Sequence, residues 1–282
     1  EGDEFIVLTP YFPEYRVFIE AAGGVCREVK TDARFHIDLA AVENAINEHT
    51  KGILVTSPNN PTVVVYDEEE LKALGRLLEE KSKERPIFLI ADEPYRELTY
   101  GKQVPYPMNV YKNTILRYSF SKSLSLAGDS LGYIAVSPPC VGANEIFSAV
   151  CDAGRCCRGV GRWGGGAEGR GAGVWDAGRG LGIDGAAALF KGVCAKWLGK
   201  RSDIGGYRKT RDLLHGALQK DGFECVEPDG AFYLFVKSPE PDAKAFAERA
   251  KKYELLLVPS DSFGVPGYVR VSYCVARSTI EH

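Results

Sequence analysis

The sequence predicts an α/β chain, a mainly parallel sheet flanked by helices and followed by a smaller α+β region. Three observations carry that reading. Short apolar runs alternate with amphipathic stretches up to about residue 138, at residues 5–8, 25–29, 53–56, 87–91, 114–118 and 131–136. Such alternation is the pattern of βαβ units. Polar clusters follow three of these runs at intervals of roughly thirty residues, about one βαβ unit. Beyond residue 206 the order changes to a helix, strands and single helices, which suits a smaller domain.

The elements follow in order. Asp38 can cap a helix that carries Leu39, Val42 and Ile46 on one face, and Asp67 one that carries Leu71, Leu74 and Leu78. In the later region a helix is expected over 207–218, strands over 223–226 and 231–236, a helix over 242–252, and strands over 255–258 and 268–273. Residues 1–185 are assigned to a large domain, and 186–282 to a connecting helix and a small C-terminal domain. Within the first, residues 154–185 form an irregular segment dense in Gly, Arg and Ala, with Trp163 and Trp175 almost its only large apolar side chains. That composition buries too little surface to offset its ordering entropy. It reads either as an insertion or as a stretch translated out of frame.

Composition narrows the function classes. At 282 residues with 45% hydrophobic content the chain can build a sizeable core. Its 35 basic and 38 acidic residues are interspersed, giving a net charge of -3. No basic face for nucleic acid and no polybasic membrane patch stand out, so a small-molecule partner is expected. Eight cysteines without a CxxC pair and four scattered histidines argue for reduced thiols in a cytoplasmic protein and against a metal site. No run is long enough for a membrane span. The chain opens on Glu1 rather than Met and reaches a strand almost at once, so it is not expected to be a natural start.

In an open α/β sheet, ligands sit outside the carboxyl ends of the strands. There the sequence places Ser57-Pro58-Asn59-Asn60-Pro61-Thr62, then Asp92-Glu93-Pro94-Tyr95, then Ser119-Phe120-Ser121-Lys122. An asparagine, a carboxylate, a tyrosine and a serine-flanked lysine would line one pocket. These are the groups that a pyridinium aldehyde bearing a phosphate demands.

The motifs SPNNPT, ADEPY and SFSKSLSLAG, with PYFPEY before them and DGAFYLFV and GYVRVSY after, resemble the class I aminotransferases of the aspartate aminotransferase type. These are fold type I pyridoxal-phosphate enzymes. The resemblance covers nearly everything except residues 154–185. It implies pyridoxal 5'-phosphate as cofactor, an α-amino acid and a 2-oxo acid as substrates, and a homodimer. It makes Lys122 the Schiff-base lysine and the base that moves the α-proton, and Asp92 the partner of the pyridine nitrogen. Tyr95 and Asn60 would share the ring oxygen, Ser119 and Ser121 would serve the phosphate, and Arg270 would clamp the substrate carboxylate. Phe12 matches the aromatic that stacks on the ring, and reads equally as a core aromatic.

Departures from the family pattern are also legible. Gly128-Asp129-Ser130-Leu131-Gly132-Tyr133 has Ser130 where the family carries a phosphate-gripping arginine, and Val63 replaces the glycine after NNPT. Val63 would strain the turn if a positive φ is required. Relatives begin well before Glu1, so the chain as written is expected to turn over little. A lyase or synthase on the same scaffold, or a non-catalytic module, remain open beside the aminotransferase.

Overall fold

A computed structural model describes residues 2–125, 132–160, 173–176, 180–182 and 202–281, with only the backbone path for 153–160 and the last two short strands. The main sheet has the order β2-β1-β3-β4-β5-β6-β7-β8. Its strands are β1 (Glu4–Thr9), β2 (Val25–Lys30), β3 (Thr50–Thr56), β4 (Phe88–Asp92), β5 (Thr114–Ser119), β6 (Gly132–Val136), β7 (Gly173–Asp176) and β8 (Gly180–Gly182). The first five run parallel, and β6 turns back antiparallel to β5.

Local chemistry starts the helices where the sequence expects. Asp38 accepts from the Ala41 amide at 3.0 Å and opens α2 (Leu39–Ala45). Asp67 and Glu70 form a reciprocal capping box at 2.9 Å in each direction and open α3 (Glu68–Lys81). Val42 on α2 and Leu71, Leu74 and Leu78 on α3 then pack against Ile6, Leu8, Ile53 and Leu89 of the sheet in one buried core. The opposite face of β1 packs Val7 under Tyr11 and Tyr15, the latter on α1 (Glu14–Ala21). With both faces covered, Ile6, Val7 and Leu8 are buried in succession, as a parallel strand requires.

A second, three-stranded antiparallel sheet has the order β10-β11-β9, from β9 (Tyr233–Lys237), β10 (Val258–Pro259) and β11 (Tyr268–Ser272). The one-turn helix α4 (Phe120–Ser123) follows β5, and α5 (Ala143–Val160) follows β6. Helices α6 (Ile204–Lys220), α7 (Ala243–Ala250) and α8 (Arg277–Glu281) belong with the second sheet. The two sheets meet through a core that joins Val63, Tyr95 and Leu98 to Phe232, Tyr233, Leu234 and Val269. The junction is tight at Gly230, where a Cβ would lie 2.5 Å from the Leu98 carbonyl oxygen and 2.6 Å from Pro58 Cγ. Only glycine fits that approach.

Three sequence expectations are corrected. Residues 223–226 make a single bridge, Cys225 to Val236, rather than a strand. Pro228, which has no amide proton, follows too soon for a longer ladder. Of 255–258 only Val258 enters β10, and Leu255 and Leu256 are exposed. The segment 154–185 is not irregular throughout: α5 runs on through Val160, and β7 and β8 extend the main sheet. Backbone groups can join a sheet edge whatever their side chains, which a burial argument from composition misses. The rest of that segment lies outside the described residues.

Candidate active site

The carboxyl ends of β3, β4 and β5 stand side by side, with Thr56 opposite Asp92 and Asp92 opposite Arg117 in the ladder. The loops after these strands therefore open on one rim. Asn60 follows β3, Asp92 ends β4 with Tyr95 one turn on, and Ser119 ends β5 three residues before Lys122.

From β11 of the second sheet, Arg270 Nη1 donates to Asn60 Oδ1 at 2.6 Å, across 210 positions of sequence. A guanidinium offers only donors, so this contact fixes the asparagine's orientation and leaves its Nδ2 aimed elsewhere. That nitrogen has no hydrogen-bond partner among the described residues. The guanidinium carbon of Arg270 lies 4.4 Å from the Tyr233 ring centroid and 5.1 Å from that of Phe263. No carboxylate among the described residues neutralises it. It is a cation held between aromatic faces, free to grip an anion in bidentate fashion.

Tyr233 carries the site onward. Its hydroxyl is 3.2 Å from that of Tyr95, and both rings contact Phe232. Lys122 Nζ lies 5.8 Å from the Phe232 centroid and pairs with no carboxylate among the described residues. Contacts thus run from Lys122 through Phe232, Tyr95 and Tyr233 to Arg270 and Asn60. Burial, with Tyr233 beside it, pushes the Tyr95 phenol well above the usual tyrosine range, so it stays protonated and donating at neutral pH. The Asp92 charge adds to that rise and Arg270 opposes it.

Asp92 is buried and held from two directions. Tyr15 donates to its Oδ2 at 2.6 Å, and Arg117 Nη1 reaches both oxygens at 2.9 Å. Burial first, then the Asp92 charge, raises the Tyr15 phenol well above its ordinary value. Phe12 lies edge-on to Tyr15 with centroids 5.5 Å apart and is half-buried, so it presents a ring face at the rim while packing on the core. Ser119 caps α4 through the Ser121 amide at 3.3 Å, and its hydroxyl donates to Ser121 Oγ at 2.9 Å.

Asn60, Asp92, Tyr95, Ser119, Ser121 and Lys122 stand at or just after these strand ends, Phe12 packs on Tyr15 beside Asp92, and Arg270 comes from the second sheet. Sequence reasoning missed Tyr15, Arg117, Phe232 and Tyr233. Tyr15 and the 232–233 pair lie within motifs already singled out, PYFPEY and DGAFYLFV, but nothing local shows that they reach Asp92 and Tyr95. Val63 has φ of 62° and is fully buried, so the glycine-like turn conformation is present with a β-branched side chain in it. Asp129 and Ser130 lie outside the described residues. A cleft of about 490 Å³ opens elsewhere, between Arg34, Val64 and Tyr268, and contains none of the site residues. Among the described residues no cluster could hold a metal, no helix is long and apolar enough to cross a membrane, and Cys26, Cys140, Cys151, Cys225 and Cys274 are free thiols.

Known proteins share this fold. The model of the aminotransferase class I and II family matches residues 1–155 and 199–282. A probable aspartate aminotransferase of Methanocaldococcus jannaschii is 29% identical over 99% of the chain and 69% of its own length. The aspartate aminotransferase of Bacillus subtilis is 30% identical over 100% and 68%. Among solved structures, an aminotransferase from Eubacterium rectale superposes with a TM-score of 0.87 at 46% identity, covering all of this chain and 66% of the other. A mutant of Thermus thermophilus aspartate aminotransferase gives 0.82 at 29%, covering 99% and 71%. The chain thus spans about two thirds of the length of these relatives, and within that span its fold coincides with that of the solved structures. It belongs to the aminotransferase class I and II family.

Proposed function

We propose that this rim binds pyridoxal phosphate and that the chain transfers an amino group from an α-amino acid to a 2-oxo acid. The contact between Arg270 and Asn60 carries the reading, because it brings a guanidinium with no acid partner among the described residues from the second sheet to the rim whose strand ends carry Asn60, Asp92 and Lys122. The donor set fits the cofactor. A buried asparagine keeps an unpartnered amide nitrogen, a protonated tyrosine stands near it, a buried carboxylate retains acceptor capacity, and a lysine lacks an acid partner.

Bound pyridoxal phosphate supplies an aldehyde for a lysine amine and a ring that accepts electrons from the α-carbon. Lys122 would provide that amine and, as a free amine, would move the proton at the substrate α-carbon. Asp92, oriented by Tyr15 and Arg117, holds the proton on the ring nitrogen. Asn60 Nδ2 and the Tyr95 hydroxyl donate to the ring oxygen, and Phe12 covers the ring face. The Ser119 and Ser121 hydroxyls serve the phosphate. Arg270 clamps the substrate α-carboxylate, which places the α-carbon before Lys122. Residues 1–185 and 186–282 act as large and small domains in this reading, and a homodimer in the cytoplasm belongs to it.

Borohydride reduction after incubation with pyridoxal phosphate, followed by peptide mapping, tests it. Label is expected on Lys122 and lost in Lys122→Ala. Label confined to another lysine overturns the assignment. The names of the relatives make aspartate the first donor to assay, with 2-oxoglutarate as the 2-oxo acid acceptor, and release of a substrate fragment instead of transamination would mark a lyase.

A further inference from the structure

We infer that Ser202 is a positioning residue that fixes the backbone of the Lys122 turn and ties it to the body that carries Arg270. The inference rests on the reading of Lys122 as the reactive lysine.

Lys122 sits on α4, a single turn. The last carbonyls of any helix have no partner within it, and a helix of one turn is almost all ends. Here the Leu124 amide closes on the Phe120 carbonyl at 3.1 Å, which leaves the carbonyls of Lys122 and Ser123 to find donors elsewhere. Both find Ser202, about 80 positions away in sequence. Its amide donates to Ser123 O at 3.0 Å, and its hydroxyl proton lies between Ser123 O at 2.7 Å and Lys122 O at 3.2 Å. Ser123 is itself buried, with Oγ 2.7 Å from the Tyr118 hydroxyl, which in turn donates to Glu97 at 2.8 Å. Among the described residues, the turn is therefore tied to β5 on one side, and its Lys122 and Ser123 carbonyls take their hydrogen bonds from Ser202 on the other.

Ser202 has a fixed mounting of its own. The next residue, Asp203, caps α6 by accepting from the Gly206 amide at 2.9 Å. Ile204, Tyr207, Leu214 and Leu218 of α6 pack on the core of the three-stranded sheet, and Tyr207 stacks on Phe232 with centroids 5.9 Å apart. Arg270 lies on β11 of that same sheet. One hydroxyl thus joins the backbone of Lys122 to the unit that carries the carboxylate clamp. A substrate held at Arg270 must meet Lys122 at its α-carbon, and a shift of about 1 Å between such groups can cost on the order of a hundredfold in rate.

The test compares Ser202→Ala with Ser202→Thr, which keeps the hydroxyl, in the full chain. Two readouts are needed. Hydrogen exchange of a peptide spanning 119–125 follows the Leu124 amide without any cofactor, and borohydride trapping of pyridoxal phosphate follows the availability of Lys122. Losing one shared hydrogen bond should speed exchange at this turn and slow trapping by roughly two- to tenfold in Ser202→Ala, with Ser202→Thr close to the parent. Unchanged exchange and trapping in Ser202→Ala overturn the inference. So does a loss that Ser202→Thr shares, or one accompanied by equally faster exchange in α3, because either would mean general support of the fold. If label in the parent falls on another lysine, the site reading fails while the exchange comparison still decides the role of Ser202.

Discussion

Val63 sets two energies against each other. Its φ of 62° lies in the left-handed region, where a β-branched side chain is an outlier and an L-residue loses about 1–2 kcal/mol. Yet the side chain is fully buried in the core between the two sheets, against Tyr95, Leu98 and Phe232. Val63→Ala removes two methyl groups, about 1.6 kcal/mol at about 0.8 kcal/mol each, and keeps most of the strain. Val63→Gly removes one more carbon, about 0.8 kcal/mol, and gains unfolded-state freedom worth roughly 0.5–1 kcal/mol. At an unstrained site glycine would therefore be the worse replacement by about 1.3–1.8 kcal/mol. Release of about 1–2 kcal/mol of strain cancels that deficit. Both variants should melt below the parent, and within a few degrees of each other, since about 1 kcal/mol moves the midpoint of a chain of this size by roughly 2–4 °C. Thermal unfolding followed by circular dichroism measures this. If Val63→Ala melts more than about 5 °C above Val63→Gly, the strain is absent and the argument fails.

Three further outcomes are expected. Asp92→Asn removes the charge that holds a proton on the cofactor ring nitrogen, so single-turnover proton abstraction should fall by at least about a hundredfold while cofactor affinity falls less; near-parent rates would sink the role. Ser130→Arg restores a charge-assisted pair to the cofactor phosphate, worth roughly 1.5–3 kcal/mol, and should tighten pyridoxal phosphate in titrations by about tenfold or more; unchanged affinity means the phosphate is held elsewhere. Alkaline pH should unfold the chain. Burial raises the phenols of Tyr15, Tyr66, Tyr95, Tyr118 and Tyr273 above the ordinary 10.0, so the folded state keeps protons that the unfolded state gives up. The stability is complete below pH 10.0 and declines as pH rises above it. Tyrosinate absorbance should appear together with loss of ellipticity, and smooth titration of these phenols in an intact fold contradicts the burial.

What the sequence revealed and what it hid divides by distance along the chain. The caps at Asp38 and Asp67 act on amides three residues away, so they could be read directly, as could the strand-end positions of Asn60, Asp92 and Lys122. The partners that hold those groups are remote. Tyr15 meets Asp92 across 77 positions through the strand order β1-β3-β4 of the main sheet, and Tyr95 meets Tyr233 across 138, where the core between the two sheets joins them. Helix α1 went unread because Pro10 and Pro13 mark a turn, and Pro13 turns out to cap the helix that presents Tyr15. Apolar content misled in the opposite sense at 255–257. Leu256 is 79% exposed, although its run reads as a strand.

The charges on the rim explain why an anionic ligand suits it. The two partners of Asp92 differ in weight: the Arg117 side chain is 54% exposed and its charge is screened, whereas the contact with Tyr15 is buried and neutral. Asp92 Oδ2 receives both Tyr15 and Arg117, but Oδ1 receives only Arg117, which leaves a lone pair for a ring N–H. Glu93 adds little to the site's negative charge, because Arg96 holds it and burial raises its pKa. Lys122 and Arg270 have no acid partner among the described residues. A ligand that brings a carboxylate to Arg270 and a phosphate toward Ser119 satisfies that excess. A neutral amine of the same size would leave a half-buried guanidinium desolvated and unpaired. In the proposed reaction, discrimination between substrates at this rim therefore begins with the α-carboxylate, before any side-chain pocket is consulted.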